Sequence, residues 1–229
     1  EGKQITSLHP AEEGYLYCID HMLSGSEQAR TKGQQFVYQE EEFTTAINQL
    51  KQLYSLSVSK TPEYSYRDET NLFNEGKLAI YINGVWGAPM ISKQIDAKYA
   101  LLPTDGGESM SCISSGLGYV LGNSGNEEKE KAAVKFLKYM LSKKVQTKIL
   151  EKTEQIPANP DISLESYKES KSRLYQAATL VLEADEKIEV PNNIWSAEQK
   201  DYFIKTIFDV LTGTLSIQEF EENLENKQK

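Results

Sequence analysis

The sequence predicts a mixed α/β fold, mostly helical, with strands separated by helices. Apolar residues recur at helical spacing in several segments, short runs alternate β-branched and aromatic residues, and Gly or Pro punctuates most junctions. Taken in order, His9-Pro10 followed by AEEGYLYCIDHML predicts a first helix, with proline in its first turn, acidic residues near its positive end and Gly25 closing it. A polar loop past Gly33 leads to QFVYQEEEF, an extended segment entering a second helix. There Phe43, Ala46, Ile47, Leu50, Leu53 and Tyr54 form one apolar face. Residues 57–67 read as a Ser/Thr/Pro/Tyr loop, and Asp68 then caps a short helix, DETNLFNEG, that stops at Gly76.

Leu78 to Asn83 alternates and predicts a strand, followed by a helical turn through Met90 and Ile91. Lys98 to Leu102 predicts a second strand ending in Pro103, and the Gly/Ser-rich stretch after it holds a third, GLGYVL. A helix from Glu127 to Leu141 is expected to bury Ala133, Phe136, Leu137, Met140 and Leu141, with Lys143 and Lys144 at its end as the helix dipole prefers. Beyond Ile156-Pro157-Ala158-Asn159-Pro160 the chain reads as wholly helical. One stripe is Leu174, Ala177, Ala178, Val181 and Leu182; another is Tyr202, Ile204, Ile207, Phe208 and Leu211, closed by Gly213. Ser216-Ile217-Gln218-Glu219 is a capping box that opens a last helix through Phe220 and Leu224. Pro103 and Pro157 bracket a segment with its own strand and helix; they read as two crossings between lobes or as ordinary loop prolines.

Composition excludes several classes. The 229 residues carry 25 Lys plus Arg against 34 Asp plus Glu, a net charge of −9, which is the wrong sign for phosphate-backbone binding. No nucleic-acid partner is expected. No apolar run approaches the roughly 18 residues that span a bilayer. The start EGKQITSLHP has neither a methionine nor signal-peptide character, and reads as a processed or truncated piece. Cys18 and Cys112 read as free buried thiols, and with only His9 and His21 as histidines no metal site is expected.

Catalytic chemistry finds no constellation. Glu12, Glu13 and the run Glu40 to Glu42 sit in first turns of helices, where they complement the dipole. Ser114-Ser115-Gly116 lacks the context of a nucleophile elbow, and neither Gly106-Gly107 nor Gly116-Leu117-Gly118 forms a nucleotide-binding pattern. No catalytic residue and no cofactor are assigned. The aromatics are more informative. Tyr15 and Tyr17 lie near a helix start, Trp86 follows Gly84 at a strand end, and Trp195 follows Pro191-Asn192-Asn193. Strand ends in open α/β sheets are where ligands bind, and a flat ring suits a ligand with one apolar face and many hydroxyls. For each ring alone, core packing or a chance surface position is at least an equal alternative.

The segment LFNEGKLAIYINGVWG resembles one found in bacterial extracellular solute-binding proteins of family 1, the maltose-binding-protein-like group. There a helix ending F-x-x-G-K precedes a strand of A-M-x-I-N-G-x-W type. Later landmarks follow in the family's order: YALLPT, a Gly/Ser turn before a strand, AAVKFLKYMLSKKVQTKI, IPANPDI, a Pro/Asn/Trp loop and VLTGTLSIQEFEENL. The resemblance implies a periplasmic-binding-protein-like type II α/β fold, present here mostly as the C-terminal lobe plus one N-lobe excursion. Its implied parts are 1–102 and 160–229 for the C-terminal lobe and 103–159 for the excursion. It implies a ligand-binding role for Trp86 on the N-G-x-W motif, Tyr15, the weaker neighbour Tyr17, and Trp195. Ser114, Ser115 and Gly116 would fall where the N-lobe turn nears the ligand.

The implied function is that of the carbohydrate-binding component of an ABC importer, closing two lobes on a sugar and docking on the membrane permease. The implied location is extracellular, as a lipid-anchored protein in Gram-positive bacteria, or periplasmic. A polyamine or peptide ligand and a glycoside-active enzyme are the alternatives. With part of the second lobe missing, the face of Phe136, Leu137 and Met140 would lack its sheet. Paired or segment-swapped association is then expected.

Overall fold

In a computed structural model of the chain, the structure describes Tyr15, Cys18, Ile19 and residues 41–57, 65–104, 109–113, 118–190, 193 and 195–227. Tyr15, Cys18 and Ile19 are helical. Then follow α1 (Glu41–Leu56), α2 (Tyr66–Asn74), a 3-10 helix (Val85–Met90), β1 (Met110–Ile113), α3 (Glu127–Met140) and α4 (Lys143–Thr153). A second 3-10 turn (Leu164–Tyr167), α5 (Ser172–Glu183), β2 (Glu186–Glu189), α6 (Ala197–Thr212) and α7 (Ile217–Asn226) complete the order.

Local chemistry sets the helix starts. Ser65, Asn126, Ser142, Ser196 and Ser216 each stand one residue before a helix and accept a free backbone N–H of its first turn. Such a cap stabilises by about 1 kcal/mol relative to alanine. Around Ser65 the box is reciprocal: Ser65 accepts the Asp68 N–H, and the Asp68 carboxylate accepts the Ser65 N–H at 3.0 Å. Asp68 is therefore the third residue of α2 rather than its cap. Gly213 closes α6 at φ 84°, a left-handed conformation that costs an L-residue side chain more than glycine.

The core is where α1, α6 and α7 meet Tyr15, Cys18 and Ile19. Phe43, Ile47 and Leu50 of α1 face Phe203 and Ile207 of α6, and Phe220 and Leu224 of α7 fill the remaining side. Each such side chain contributes on the order of 1.5–3 kcal/mol by leaving water. The α6 stripe is shifted from the sequence reading. Phe203 and Val210 are buried, whereas Tyr202, Ile204 and Phe208 lie half-buried at its margin.

Strands depart most from expectation. Among the described residues Leu78–Asn83 and Lys98–Leu102 pair into no ladder, and Leu78 makes an isolated bridge. Residues 118–122 are likewise unpaired, with Val120 93% exposed. The described sheet is instead β1 beside β2, parallel, with Met110 opposite Glu186 and Ile113 opposite Glu189. So the segment after Pro160 is not wholly helical. The two strands enter through a reciprocal clamp. Ser109 donates its N–H (3.0 Å) and hydroxyl (2.7 Å) to Asp185 Oδ2, and the Asp185 N–H donates to Ser109 Oγ (3.0 Å).

Helix α3 has the predicted span but buries no residue: Phe136 is 56% exposed, Tyr139 57% and Leu141 48%. Nothing among the described residues covers that face. Lys143 and Lys144 do not trail α3; they stand in the first turn of α4, because Ser142 caps a new helix there. Cys18, buried, and Cys112, half-buried, are not joined in a disulfide.

Candidate functional site

The sequence-predicted aromatics separate into two environments. Tyr15 (1% exposed) and Trp195 (5%) meet in the core. Trp195 lies against Phe43 and Phe203, with ring centroids 6.3 and 5.5 Å away. Burial pushes the Tyr15 phenol well above its ordinary pKa, with Tyr54, Cys18 and Glu69 adding to the shift. Both rings lie buried among core side chains. Their loop-like and helix-start contexts hid a packing role, since the Trp195 ring reaches back from the start of α6 onto α1. Tyr17, Ser114, Ser115 and Gly116 lie outside the described residues.

Trp86 is different. It stands in the 3-10 helix that follows the extended 78–84 segment and is 53% exposed. Its indole lies back over Gly84: a Cβ there would sit 2.3 Å from two ring carbons and 2.6 Å from a third. Gly84 has φ −85° and ψ 176°, open to any residue, so it is the ring's approach and not the backbone that calls for glycine. The ring thus presents an open surface while part of it rests on main chain.

Both ends of this turn are tied down. At its start Asn83 Oδ1 accepts the Gly84 N–H (2.8 Å), while Asn83 Nδ2 donates to Tyr66 Oη (2.8 Å) and Tyr81 Oη (2.5 Å). At its end Asn74 Nδ2 donates to Met90 O (2.9 Å) and Asn74 Oδ1 accepts the Ser92 N–H (2.7 Å). Helix α5 packs on the 3-10 helix, and Arg173 Nη2 donates to the carbonyls of Ser92 (2.6 Å) and Ile95 (2.7 Å). Desolvation raises the Tyr81 phenol, so it stays protonated as a hydrogen-bonding group. Asn83, Asn74 and Arg173 were not singled out in the sequence. An Asn directly before Gly at the end of an extended run was the available signal, because its carboxamide can bond the next backbone group.

A profile described as bacterial extracellular solute-binding protein matches residues 3–178. The chain belongs to this family. It is a family of binding proteins, extracellular by description, and no helix among the described residues is long and apolar enough to cross a membrane. Solved structures show the same fold, type II periplasmic-binding-protein-like. One is a Streptococcus pneumoniae solute-binding protein in complex with the blood group A-trisaccharide, 20% identical with a TM-score of 0.79. Another is the maltose/maltodextrin-binding domain from Bdellovibrio bacteriovorus bound to maltotriose, 20% identical with a TM-score of 0.66. A third is a Bacillus licheniformis sugar transporter in complex with stachyose, 14% identical with a TM-score of 0.67. Each match covers 99% of this chain but only 59%, 59% and 61% of the other. No curated protein sequence matches it.

Proposed function

We propose that this chain belongs to the carbohydrate-capturing component of an ABC importer, with Trp86 as the platform on which a sugar ring stacks. The observation that carries the reading is a half-exposed indole, backed by the Gly84 main chain and fixed at both ends of its turn. Such a ring offers an apolar face to the C–H surface of a pyranose while hydroxyls at the rim bond to neighbouring polar groups. Three structural relatives solved with bound saccharides support the choice of ligand class. Tyr17, Ser114, Ser115 and Gly116 remain further contacts implied by the sequence resemblance.

In this reading residues 1–102 and 160–229 form one lobe and 103–159 contributes to a second. The lobes rotate about the crossings near Pro103 and Pro157, closure traps the sugar, and the closed form docks on the permease. The bare face of α3 and the unpaired 118–122 segment suit an excursion that completes another sheet. The protein works outside the membrane, lipid-anchored in a Gram-positive cell or free in a periplasm, and does no chemistry on its ligand. A calorimetric and thermal-shift screen of mono- and oligosaccharides tests the assignment, with polyamines and short peptides in parallel. Heat or a shift with a saccharide, lost in Trp86→Ala, is the expected result. A response to polyamine or peptide with none to any saccharide would sink it.

A further inference from the structure

Trp86 owes its place to a network that begins three residues upstream. The Gly84 N–H can only donate, so Asn83 Oδ1 must face it, and this turns both amide hydrogens toward the two phenols. The carboxamide is also enclosed by backbone: a Cβ on Gly87 would sit 2.5 Å from Nδ2 and 2.6 Å from Cγ. Gly87 N–H in turn donates to Gly84 O (2.9 Å), closing the first turn of the 3-10 helix around the amide.

The phenols are themselves anchored on α2. Tyr66 is its first residue, and its hydroxyl donates to Met90 Sδ at 3.1 Å, at the far end of the same 3-10 helix. The Tyr81 hydroxyl lies 2.8 Å from Thr70 Oγ1, and its ring stacks on Phe73 with centroids 5.4 Å apart. Both Thr70 and Phe73 belong to α2.

We infer that Asn83 is a positioning residue, fixing the Trp86 ring relative to α2 through Tyr66 and Tyr81 so that the platform is rigid before ligand arrives. The inference rests on the reading of Trp86 as a saccharide platform and adds how that platform is held. A ring already fixed loses less rotamer freedom on binding, so affinity depends on a residue that does not itself meet the ligand.

Fluorine NMR on the chain labelled with fluorotryptophan gives one resonance for each of its two tryptophans, assigned with Trp86→Phe. Asn83→Leu keeps the shape of the side chain and removes all three hydrogen bonds. The expected result is a Trp86 resonance that moves toward the solvent-exposed position and relaxes as a mobile ring, while the Trp195 resonance stays put. Saccharide affinity should fall about 2- to 10-fold, the cost of ordering one freed side chain. Tyr81→Phe keeps the stack on Phe73 and should shift the same resonance less, which covers the case of Asn83→Leu failing to fold. Leu150→Ala, in the buried face of α4, should lower stability and leave the Trp86 resonance alone. A Trp86 resonance unchanged in both Asn83→Leu and Tyr81→Phe overturns the inference, whatever the chain binds. A freed ring with unchanged saccharide affinity overturns the link from position to binding. If the parent binds no saccharide, the platform reading fails instead, and the resonance arm still decides what holds the ring.

Discussion

Replacing Gly84 by alanine isolates the Trp86 platform from the stability of the fold. The new methyl would meet indole carbons at 2.3, 2.3 and 2.6 Å. Comfortable carbon–carbon contact is about 3.5–4.0 Å, so the ring must retreat by roughly 1–1.5 Å or swing outward. Its exposed side leaves room for that displacement, since more than half of the residue faces water. An off-rotamer indole costs about 0.5–1.5 kcal/mol, and the lost chain entropy of glycine offsets about 0.4–1 kcal/mol at this unstrained φ. The net change in stability is within about 1 kcal/mol, a Tm shift of no more than about 4 °C for a chain of this length.

Binding should respond far more. Covering the open half of a tryptophan buries on the order of 100 Å², or about 2.5 kcal/mol. Trp86→Ala should therefore weaken saccharide binding roughly 60-fold, and Gly84→Ala should reach a large part of that loss. Calorimetry beside thermal melts measures both quantities on the same variants. The reasoning is refuted if Gly84→Ala unfolds the chain, since the ring would then have no room to yield. It is equally refuted if stability and affinity both match the parent.

Three further outcomes follow from the geometry. Glu221 is buried in α7 with Thr44 Oγ1 donating to it at 2.7 Å, and desolvation raises its carboxyl pKa, partly countered by that bond. The folded state therefore favours the protonated form, carries its full desolvation cost above the raised pKa, and sheds it as pH falls below the unfolded value. Glu221→Gln should raise Tm at neutral pH, with the gain shrinking toward pH 4; an equal gain at both pH values would contradict the burial cost. Asp185 is held below the ordinary carboxyl range chiefly by the Ser109 side-chain bond, so the β1–β2 clamp stabilises fully above about pH 4 and is lost as pH falls through the depressed value. Ser109→Ala should lower Tm at neutral pH, and acid melts should show the deficit narrowing; a deficit that persists unchanged in strong acid argues against the clamp. Finally, the open apolar side chains of Val120 and Phe136 should make the chain associate at high concentration. Sedimentation should show that association reduced by Val120→Lys and Phe136→Lys, and a chain monomeric at every concentration would refute it.

Helices were legible because their signals are local. The α1 face from Phe43 to Leu50 and the Ser216 cap can be read within one or two turns of chain. Strands were not, because a strand needs a partner that the sequence does not name. Leu78–Asn83 alternates, yet Tyr81 and Asn83 bond α2 and no described neighbour supplies a ladder. Conversely MSCI and EKIE carry weak strand signals and pair across some 70 residues, where the Ser109–Asp185 clamp brings them into register. The α3 stripe was read correctly as apolar, but its burial depends on a surface absent among the described residues.

At the site, the N-G-x-W run pointed to Trp86, and its partial exposure could be anticipated from the glycine turn. For Tyr15 and Trp195 the sequence leaves ligand contact and core packing both open, and Trp195, close after Pro191 and Asn193, looks like loop chemistry. The deciding fact is three-dimensional: Phe43 and Phe203 stand where the Trp195 ring falls. Asn83 shows no role within the N-G-x-W run itself, since its partners lie two and seventeen residues back.

Titrating the fluorotryptophan-labelled chain with oligosaccharides and following its two fluorine resonances tests directly whether a saccharide stacks on Trp86 and not on Trp195. A saturable shift of the Trp86 resonance alone, at millimolar or lower sugar, is the expected result. A Trp86 resonance that ignores every saccharide, or that moves with a polyamine or peptide instead, would contradict it.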